Sequence, residues 1–168
     1  MSSEADRNLL EAVLSGSAHR VQLLLREGAD VNFADELGNT PLHYAVGEAF
    51  SEEVITYLLS AGADVHARNH CQLTPLFYGS SGRAVQALAA AGARFDVLDC
   101  MGRTPLHLLC ESACTEVLEA LLQGGVRPDV ADRAGRTALH VCAEVGSEQT
   151  AELLLHSGAA LDVRDREG

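Results

Sequence analysis

The chain has 168 residues, of which 47% are hydrophobic, and a formal net charge of -12 at pH 7. Its length suits a single domain with a substantial apolar core. The acidic charge disfavours nucleic-acid binding, because phosphate neutralisation needs a basic field. No apolar run reaches the roughly 18 residues of a membrane span, and the N-terminus lacks the basic and apolar regions of a signal peptide. We therefore expect neither a nucleic acid nor a membrane as partner.

The cysteines indicate a reducing compartment. Their number, five, is odd, and they follow no small-scaffold disulfide spacing. We expect free thiols in a cytoplasmic or nuclear protein, with Cys110 and Cys142 buried and Cys71 and Cys100 exposed. Cys110 and Cys114 are one helical turn apart, but no further pair completes a zinc site at the usual spacing. The sequence predicts no metal and no other cofactor.

Two apolar segments between Asp6 and Gly28 predict a first helix pair, and four later copies of the same pattern open on a threonine. The intervals between these threonines are 34, 30 and 33 residues. The four openings are Thr40-Pro41-Leu42-His43, Thr74-Pro75-Leu76-Phe77, Thr104-Pro105-Leu106-His107 and Thr137-Ala138-Leu139-His140.

A second marker keeps the same register. A glycine follows each predicted second helix, and an aspartate or asparagine follows each glycine by seven residues. The pairs are Gly28 and Asp35, Gly62 and Asn69, Gly92 and Asp99, Gly125 and Asp132, and Gly158 and Asp165. Two markers in constant register over five copies indicate a true repeat.

This pattern resembles the ankyrin-repeat family, in which helix pairs of about 33 residues open on T-P-L-H and stack into a solenoid. The resemblance implies an all-α fold with hairpin-like fingers, in one domain covering residues 1–168. The final residues look like the opening of a further finger, so we expect a fragment or a chain that continues into further repeats or domains. The implied repeats cover about 6–34, 35–68, 69–98, 99–131 and 132–164, with the start of another at 165–168.

The second and third copies depart from the pattern. The segment Tyr78-Gly79-Ser80-Ser81-Gly82 contains poor helix formers and predicts a shortened first helix in the third copy. The second copy carries an extra residue, which we place within residues 47–51. Either partner recognition is centred on these two repeats, or the departures are harmless variation between copies.

The recurring histidines have a structural role in the family. The resemblance implies that His43, His107 and His140 each bond the threonine of their own repeat and neighbouring backbone. Phe77 replaces the third histidine, so that repeat loses this polar bridge. One histidine per repeat forms a ladder and does not converge on a catalytic or metal site.

Ankyrin-repeat proteins usually bind partners across the fingers and first helices. Several of the finger residues are arginines, whose forked guanidinium suits carboxylates. These arginines either favour a partner with acidic groups, keep an exposed edge soluble, or are neutralised by the neighbouring aspartates. On the equivalent surface of this chain, the resemblance implies partner contacts at Leu37, Tyr44, Arg68, His70, Leu73, Tyr78, Leu98, Met101, Arg103, Glu111, Arg133 and Arg136.

The resemblance implies a monomeric, non-catalytic module that binds a protein, as a peptide or a folded domain. One specific form is the substrate-recognition part of a ubiquitin-ligase adaptor with a SOCS box, which would lie beyond residue 168. The alternative is a free-standing regulator that inhibits a kinase or a transcription factor by direct binding. Oligonucleotide recognition is disfavoured by charge, and no catalytic set can be assembled from the motifs.

Asn32 is a candidate modification site. The stretch from Leu24 to Asn32 resembles the leucine-to-Asp-Val-Asn pattern that an asparaginyl hydroxylase accepts in ankyrin repeats. The other interpretation of this asparagine is a residue that only stabilises its finger.

Overall fold

The computed structural model describes residues 4–47, 51–110 and 115–168. These residues form short helices in pairs, and no strand occurs among them, which confirms the predicted all-α fold. The α-helices are α1 (Glu4–Leu14), α2 (Ala18–Arg26), α3 (Pro41–Ala45), α4 (Glu52–Ser60), α5 (Gly82–Ala90), α6 (Pro105–Leu109), α7 (Thr115–Gln123), α8 (Ala138–Val145) and α9 (Glu148–His156), and a 3₁₀ helix spans Pro75–Tyr78.

The chain forms two compact units, residues 1–93 and 94–168. In the first unit, α1 packs on α2 and α3, α4 packs on α2, α3 and α5, and the 3₁₀ helix packs on α3 and α5. In the second unit, α6 packs on α7 and α8, and α9 packs on α7 and α8. Each helix therefore contacts its partner in the pair and the equivalent helix of a neighbouring repeat, as in a solenoid.

Branched aliphatic side chains fill both cores. They recur at equivalent places in successive repeats, and each stabilises its unit by about 1.5–3 kcal/mol through removal of apolar surface from water. The largest fully buried ones are Leu9, Leu42, Ile55, Leu58, Leu76 and Leu88 in the first unit and Leu106, Leu118, Leu121 and Leu154 in the second.

The fingers between helix pairs are closed by the recurring Asp or Asn. Asp35 Oδ1 accepts hydrogen bonds from the backbone N–H groups of Leu37 and Asn39, at 2.8 and 2.9 Å. The N–H of Asp35 donates to the Asn39 carbonyl at 3.0 Å, which makes a hairpin-like loop. Gly38 lies in this loop with φ of 80°, a conformation that suits glycine. The same side-chain bonds recur at Asn69, Asp99 and Asp132, so the second sequence marker reflects turn chemistry.

The first helix of the third repeat is short, as predicted. Its four residues, Pro75–Tyr78, form a 3₁₀ helix that stops at Gly79. Ser81 then begins α5, since its hydroxyl accepts a hydrogen bond from the Ala84 N–H at 3.1 Å. The extra residue predicted within 47–51 falls largely on residues 48–50, outside the described residues.

Loss of the histidine in the third repeat leaves a polar atom without a partner. In the second repeat, Thr40 Oγ1 lies 2.9 Å from His43 Nδ1. Phe77 occupies the matching position and is buried, and the equally buried hydroxyl of Thr74 has no hydrogen-bond partner among the described residues. The predicted loss of the polar bridge is confirmed at this threonine.

Replacing Thr74 by valine is expected to raise the free energy of unfolding by about 1 kcal/mol, because an unsatisfied buried hydroxyl becomes a methyl group of similar size. Valine fits the extended backbone there, with φ of -92° and ψ of 167°. The matched variant Thr40→Val removes a hydroxyl that is hydrogen-bonded to His43, so it should lower the free energy of unfolding by about 1 kcal/mol. Urea denaturation of both variants checks this, and equal losses would show that the Thr74 hydroxyl is satisfied in solution.

Candidate protein-binding surface

The predicted surface contains large apolar side chains exposed at the finger tips. Leu37 is 63% exposed, Met101 51% and Leu98 42%. Each finger is fixed by its aspartate or asparagine, so these side chains cannot collapse onto a core without breaking the turn. Leu37 belongs to the first unit and Leu98 and Met101 to the second, so their membership of one groove stays a prediction.

The polar finger residues of the first unit are also exposed. Arg68 and His70 are exposed, and Leu73 is half-buried. Arg68 Nη1 donates to the Gln72 carbonyl at 3.4 Å, within its own finger. The predicted contact Glu111 lies outside the described residues.

Tyr44 and Tyr78 belong to a polar cluster formed by Asp35, Asn39, Tyr44, Asn69 and Tyr78. The Tyr44 hydroxyl donates to Asp35 Oδ2 at 2.6 Å. Asn69 Nδ2 donates to Asn39 Oδ1 at 2.8 Å and to the Tyr78 hydroxyl at 2.9 Å. The two tyrosine hydroxyls are thus satisfied within the protein, and a partner could contact only the half-buried rings.

The polar cluster holds its groups in fixed protonation states. Burial and the bond to Asp35 raise the pKa of Tyr44, and burial raises the pKa of Tyr78. Burial opposes ionisation of Asp35, but the hydrogen bonds from Tyr44, Asn39 and Leu37 outweigh it and lower the pKa of that carboxyl. Both tyrosines therefore stay neutral and Asp35 stays ionised at pH 7.

Tyr44 and Tyr78 follow the finger residues Asp35 and Asn69 by the same interval of nine positions. The sequence predicted the tyrosines as contacts from the family's binding surface and did not reveal their hydrogen bonds. That shared interval is the signal in the sequence that would have revealed them.

Two of the predicted arginines are paired within their own fingers. Arg103 binds the buried carboxylate of Asp99 through Nε and Nη2, both at 2.8 Å. Arg136 Nη1 lies 3.2 Å from Glu144, and its Nε lies 3.6 Å from Asp132. Burial opposes ionisation of Asp132, yet bonds from the Arg136 and Ala134 amides, together with the Arg136 charge, lower its pKa. Neutralisation by neighbouring acids, one of the three interpretations of the arginines, therefore holds for Arg103 and Arg136.

Arg133 lines an open cleft in the second unit. The cleft has a volume of about 640 Å³. Arg133 is exposed, and no ion pair involves it among the described residues. The cleft is lined by Met101, Arg133, Ala134, Arg136, His140, Glu144, Asp165, Arg166 and Glu167.

The histidines have the structural role that the resemblance implies. His107 Nδ1 accepts the Thr104 N–H at 3.1 Å, and its Nε2 lies 2.9 Å from the Arg136 carbonyl in the next repeat. His43 makes the equivalent bond to the Leu73 carbonyl at 3.1 Å. His140 bonds Thr137 but is only half-buried and also lines the cleft. The repeating pattern gives all three histidines one role, so sequence reasoning did not distinguish His140.

The described thiols lie where the sequence predicts. Cys110 and Cys142 are buried, Cys71 and Cys100 are exposed, and none of the four forms a disulfide. In the described residues, no group of three or more His, Cys, Asp or Glu side chains could hold a metal ion. None of the described helices is long and apolar enough to cross a membrane.

Comparison with known families agrees with the geometry of helix pairs and Asp-closed fingers. Residues 5–69 and 76–165 match the family model of ankyrin repeats in three copies. The chain belongs to the ankyrin-repeat family. Ankyrin repeats are protein-interaction modules, so a protein is the expected class of partner.

Similar proteins share short segments with these ankyrin repeats. Human protein phosphatase 1 regulatory subunit 27 is 48% identical over 61 residues, which are 36% of this chain and 39% of that protein. The mouse 2-5A-dependent ribonuclease is 45% identical over 73 residues, 43% of this chain but 10% of the enzyme. A putative ankyrin repeat protein of Rickettsia felis is 31% identical over 88 residues, 51% of this chain and 23% of that protein. The matched segments thus span well under half of each of these relatives.

Proposed function

We propose that this protein is a non-catalytic interaction module that binds a partner protein through its finger tips and first helices. The observation that carries the proposal is the exposure of Leu37, Leu98 and Met101 on fingers fixed by internal hydrogen bonds. Exposed apolar side chains on a rigid backbone lose little conformational entropy on binding and exclude water when covered. Met is also enriched in protein interfaces.

Two specific roles fit this module. One is the substrate-recognition part of a ubiquitin-ligase adaptor, and the other is a regulator that inhibits a kinase or a transcription factor by direct binding. The likeness to a protein named as a phosphatase regulatory subunit favours the regulator. In both roles we propose a monomer in the cytoplasm, the nucleus or both. A SOCS box in the same protein would decide for the adaptor.

Asn32 remains a proposed hydroxylation site. Its side chain holds the next finger, since Nδ2 donates to the Gly62 carbonyl at 3.1 Å and Oδ1 accepts the Asp64 N–H at 2.8 Å. These bonds support the interpretation of Asn32 as a stabilising residue, and the enzyme would have to break them to reach the side chain. An unchanged intact mass after incubation with the hydroxylase would exclude the modification.

A photo-crosslinking amino acid at Leu37 or Met101 is expected to capture the partner, whereas one at the exposed Glu119 on α7 should not. The captured protein is then purified and its affinity measured. Leu37→Ser and Met101→Ser should each weaken binding by more than about 1 kcal/mol, roughly fivefold, if they lie in the contact. Glu119→Lys is the control and should bind as wild type. Loss of binding only in Glu119→Lys would place the interface on the second helices and overturn the proposal.

A further inference from the structure

We propose that the cleft of the second unit, called here the arginine cleft, binds an acidic side chain of the partner between Arg133 and Arg166, with an apolar neighbour on Met101. This inference rests on the proposed function and narrows it to a site and a ligand class. The ligand is a peptide segment in which a glutamate or aspartate adjoins an apolar residue.

Backbone bonds fix the fingers that form the arginine cleft. The Arg133 N–H donates to the Met101 carbonyl and the Arg166 N–H donates to the Ala134 carbonyl, both at 3.0 Å. These bonds place equivalent residues of successive fingers side by side. Arg133 and Arg166 both follow a finger aspartate, Asp132 and Asp165, so their side chains leave the backbone at matching points.

Glycines let these fingers approach closely. A Cβ at Gly102 would lie 3.4 Å from Arg133 Cγ, and one at Gly135 would lie 3.1 Å from Asp165 Cα. Both glycines also have positive φ, 77° and 83°. The stem of Arg133 therefore lies over Gly102, the residue after Met101, and Met101 and Arg133 both line the cleft.

The charges of the cleft divide into paired and unpaired groups. Arg136 binds Glu144, and Asp165 Oδ1 accepts the N–H groups of Glu167 and Gly168 at 2.9 and 3.0 Å. Arg133 and Arg166 take part in no ion pair among the described residues. They are the two cations of the cleft whose forked donors can receive a carboxylate.

The sum of charges around the cleft selects the kind of anion. Three arginines and three carboxylates line it, so its formal charge is balanced. With no excess of positive charge, the cleft suits a single carboxylate better than a doubly charged phosphate, which needs a cluster of unopposed arginines. Recognition depends on short-range hydrogen bonds, and the half-exposed Met101 adds a polarizable apolar contact for the adjoining residue.

Methyl-labelled methionine offers a direct test, since the chain has two methionines, Met1 and Met101. The probes are short peptides with a central Leu-Glu-Leu, its neutral twin Leu-Gln-Leu, or Leu-phosphoserine-Leu. We expect the Leu-Glu-Leu peptide to shift the Met101 methyl signal saturably while Met1 stays unchanged. The neutral twin should bind at least about fivefold more weakly, given the strength of charge-assisted hydrogen bonds.

Arginine variants locate the carboxylate. Arg133→Gln and Arg166→Gln should each weaken binding of the Leu-Glu-Leu peptide severalfold, and the double variant should abolish the shift of the Met101 methyl signal. Arg127→Gln is the matched control, because Arg127 is exposed in the same unit but does not line the cleft. Equal binding of the neutral twin, tighter binding of the phosphoserine peptide, or a Met101 signal that does not move would each overturn the inference.

The test separates this inference from the proposed function. If a captured partner needs Leu37 and Met101 but is indifferent to Arg133→Gln and Arg166→Gln, the module stands and the carboxylate site is wrong. If the Leu-Glu-Leu peptide binds as expected but the partner contacts the second helices, the site stands and the proposed interface is wrong.

Discussion

Replacing Asn69 by alanine is expected to lower the free energy of unfolding by about 3 kcal/mol, because it leaves several buried polar groups unpaired. Asn69 is 4% exposed and makes four side-chain hydrogen bonds. Its Oδ1 holds the third finger through the amides of Cys71 and Leu73, and its Nδ2 joins Asn39 to Tyr78. Urea denaturation followed by far-UV circular dichroism measures the loss.

Asn69→Asp is the informative comparison. A carboxylate can still accept the two finger amides, as Asp35, Asp99 and Asp132 do, and can accept the Tyr78 hydroxyl as Asp35 accepts that of Tyr44. It loses the donation to Asn39 and adds a buried charge, with Leu73 at the position from which Arg103 pairs with Asp99, so the free energy of unfolding should fall by about 2 kcal/mol, less than for alanine. If both substitutions lower it equally, the neutral amide and its donation to Asn39, and not the finger turn, would carry the stability.

The all-α fold was predictable because its determinants are local and periodic. Thr40, Thr104 and Thr137 with their histidines begin first helices, and a glycine such as Gly146, with φ of 77°, ends one. The short helix before Gly79 was also predictable, since glycine and serine disfavour continued helix. Each of these local preferences is weak alone, but they recur in successive repeats and together predict the fold.

The sequence predicted less well which side chains of the candidate site are bonded within the protein. Hydrogen bonds between side chains depend on distances that the repeat period does not encode. Arg103 and Arg136 both follow their finger aspartate by four residues. Arg103 binds Asp99 Oδ2 through Nε and Nη2 at 2.8 Å, whereas Arg136 Nε lies 3.6 Å from Asp132 and its Nη1 binds Glu144. The hydrogen bond from Asn69 to the Tyr78 hydroxyl had one signal in the sequence, the interval of nine residues that also separates Asp35 from Tyr44. Binding at the predicted residues remains a prediction.

Substituting His107 by alanine is expected to lower the free energy of unfolding by about 3 kcal/mol, and the same change at His140 by about 1 kcal/mol. Both side chains bond the threonine that begins their helix, and both changes remove that cap. His107 is also 2% exposed and bonds the Arg136 carbonyl in the next repeat, so its loss adds a cavity and an unpaired carbonyl. Equal losses at the two positions would show that the bond between repeats contributes little.

The buried histidines also predict how stability depends on pH. Burial lowers the pKa values of His43 and His107, although their bonds to backbone carbonyls oppose the shift. Both histidines are neutral in the folded protein, and their stabilising effect is complete above the unfolded pKa of about 6.5. As the pH falls below that value the unfolded chain binds protons first, so stability should decrease by up to about 1.4 kcal/mol per pH unit for each histidine. His107→Gln should flatten this slope between pH 7.5 and 5.5 in urea denaturation. An unchanged slope in that variant would mean that His107 titrates alike in the folded and unfolded chains, against its burial between repeats.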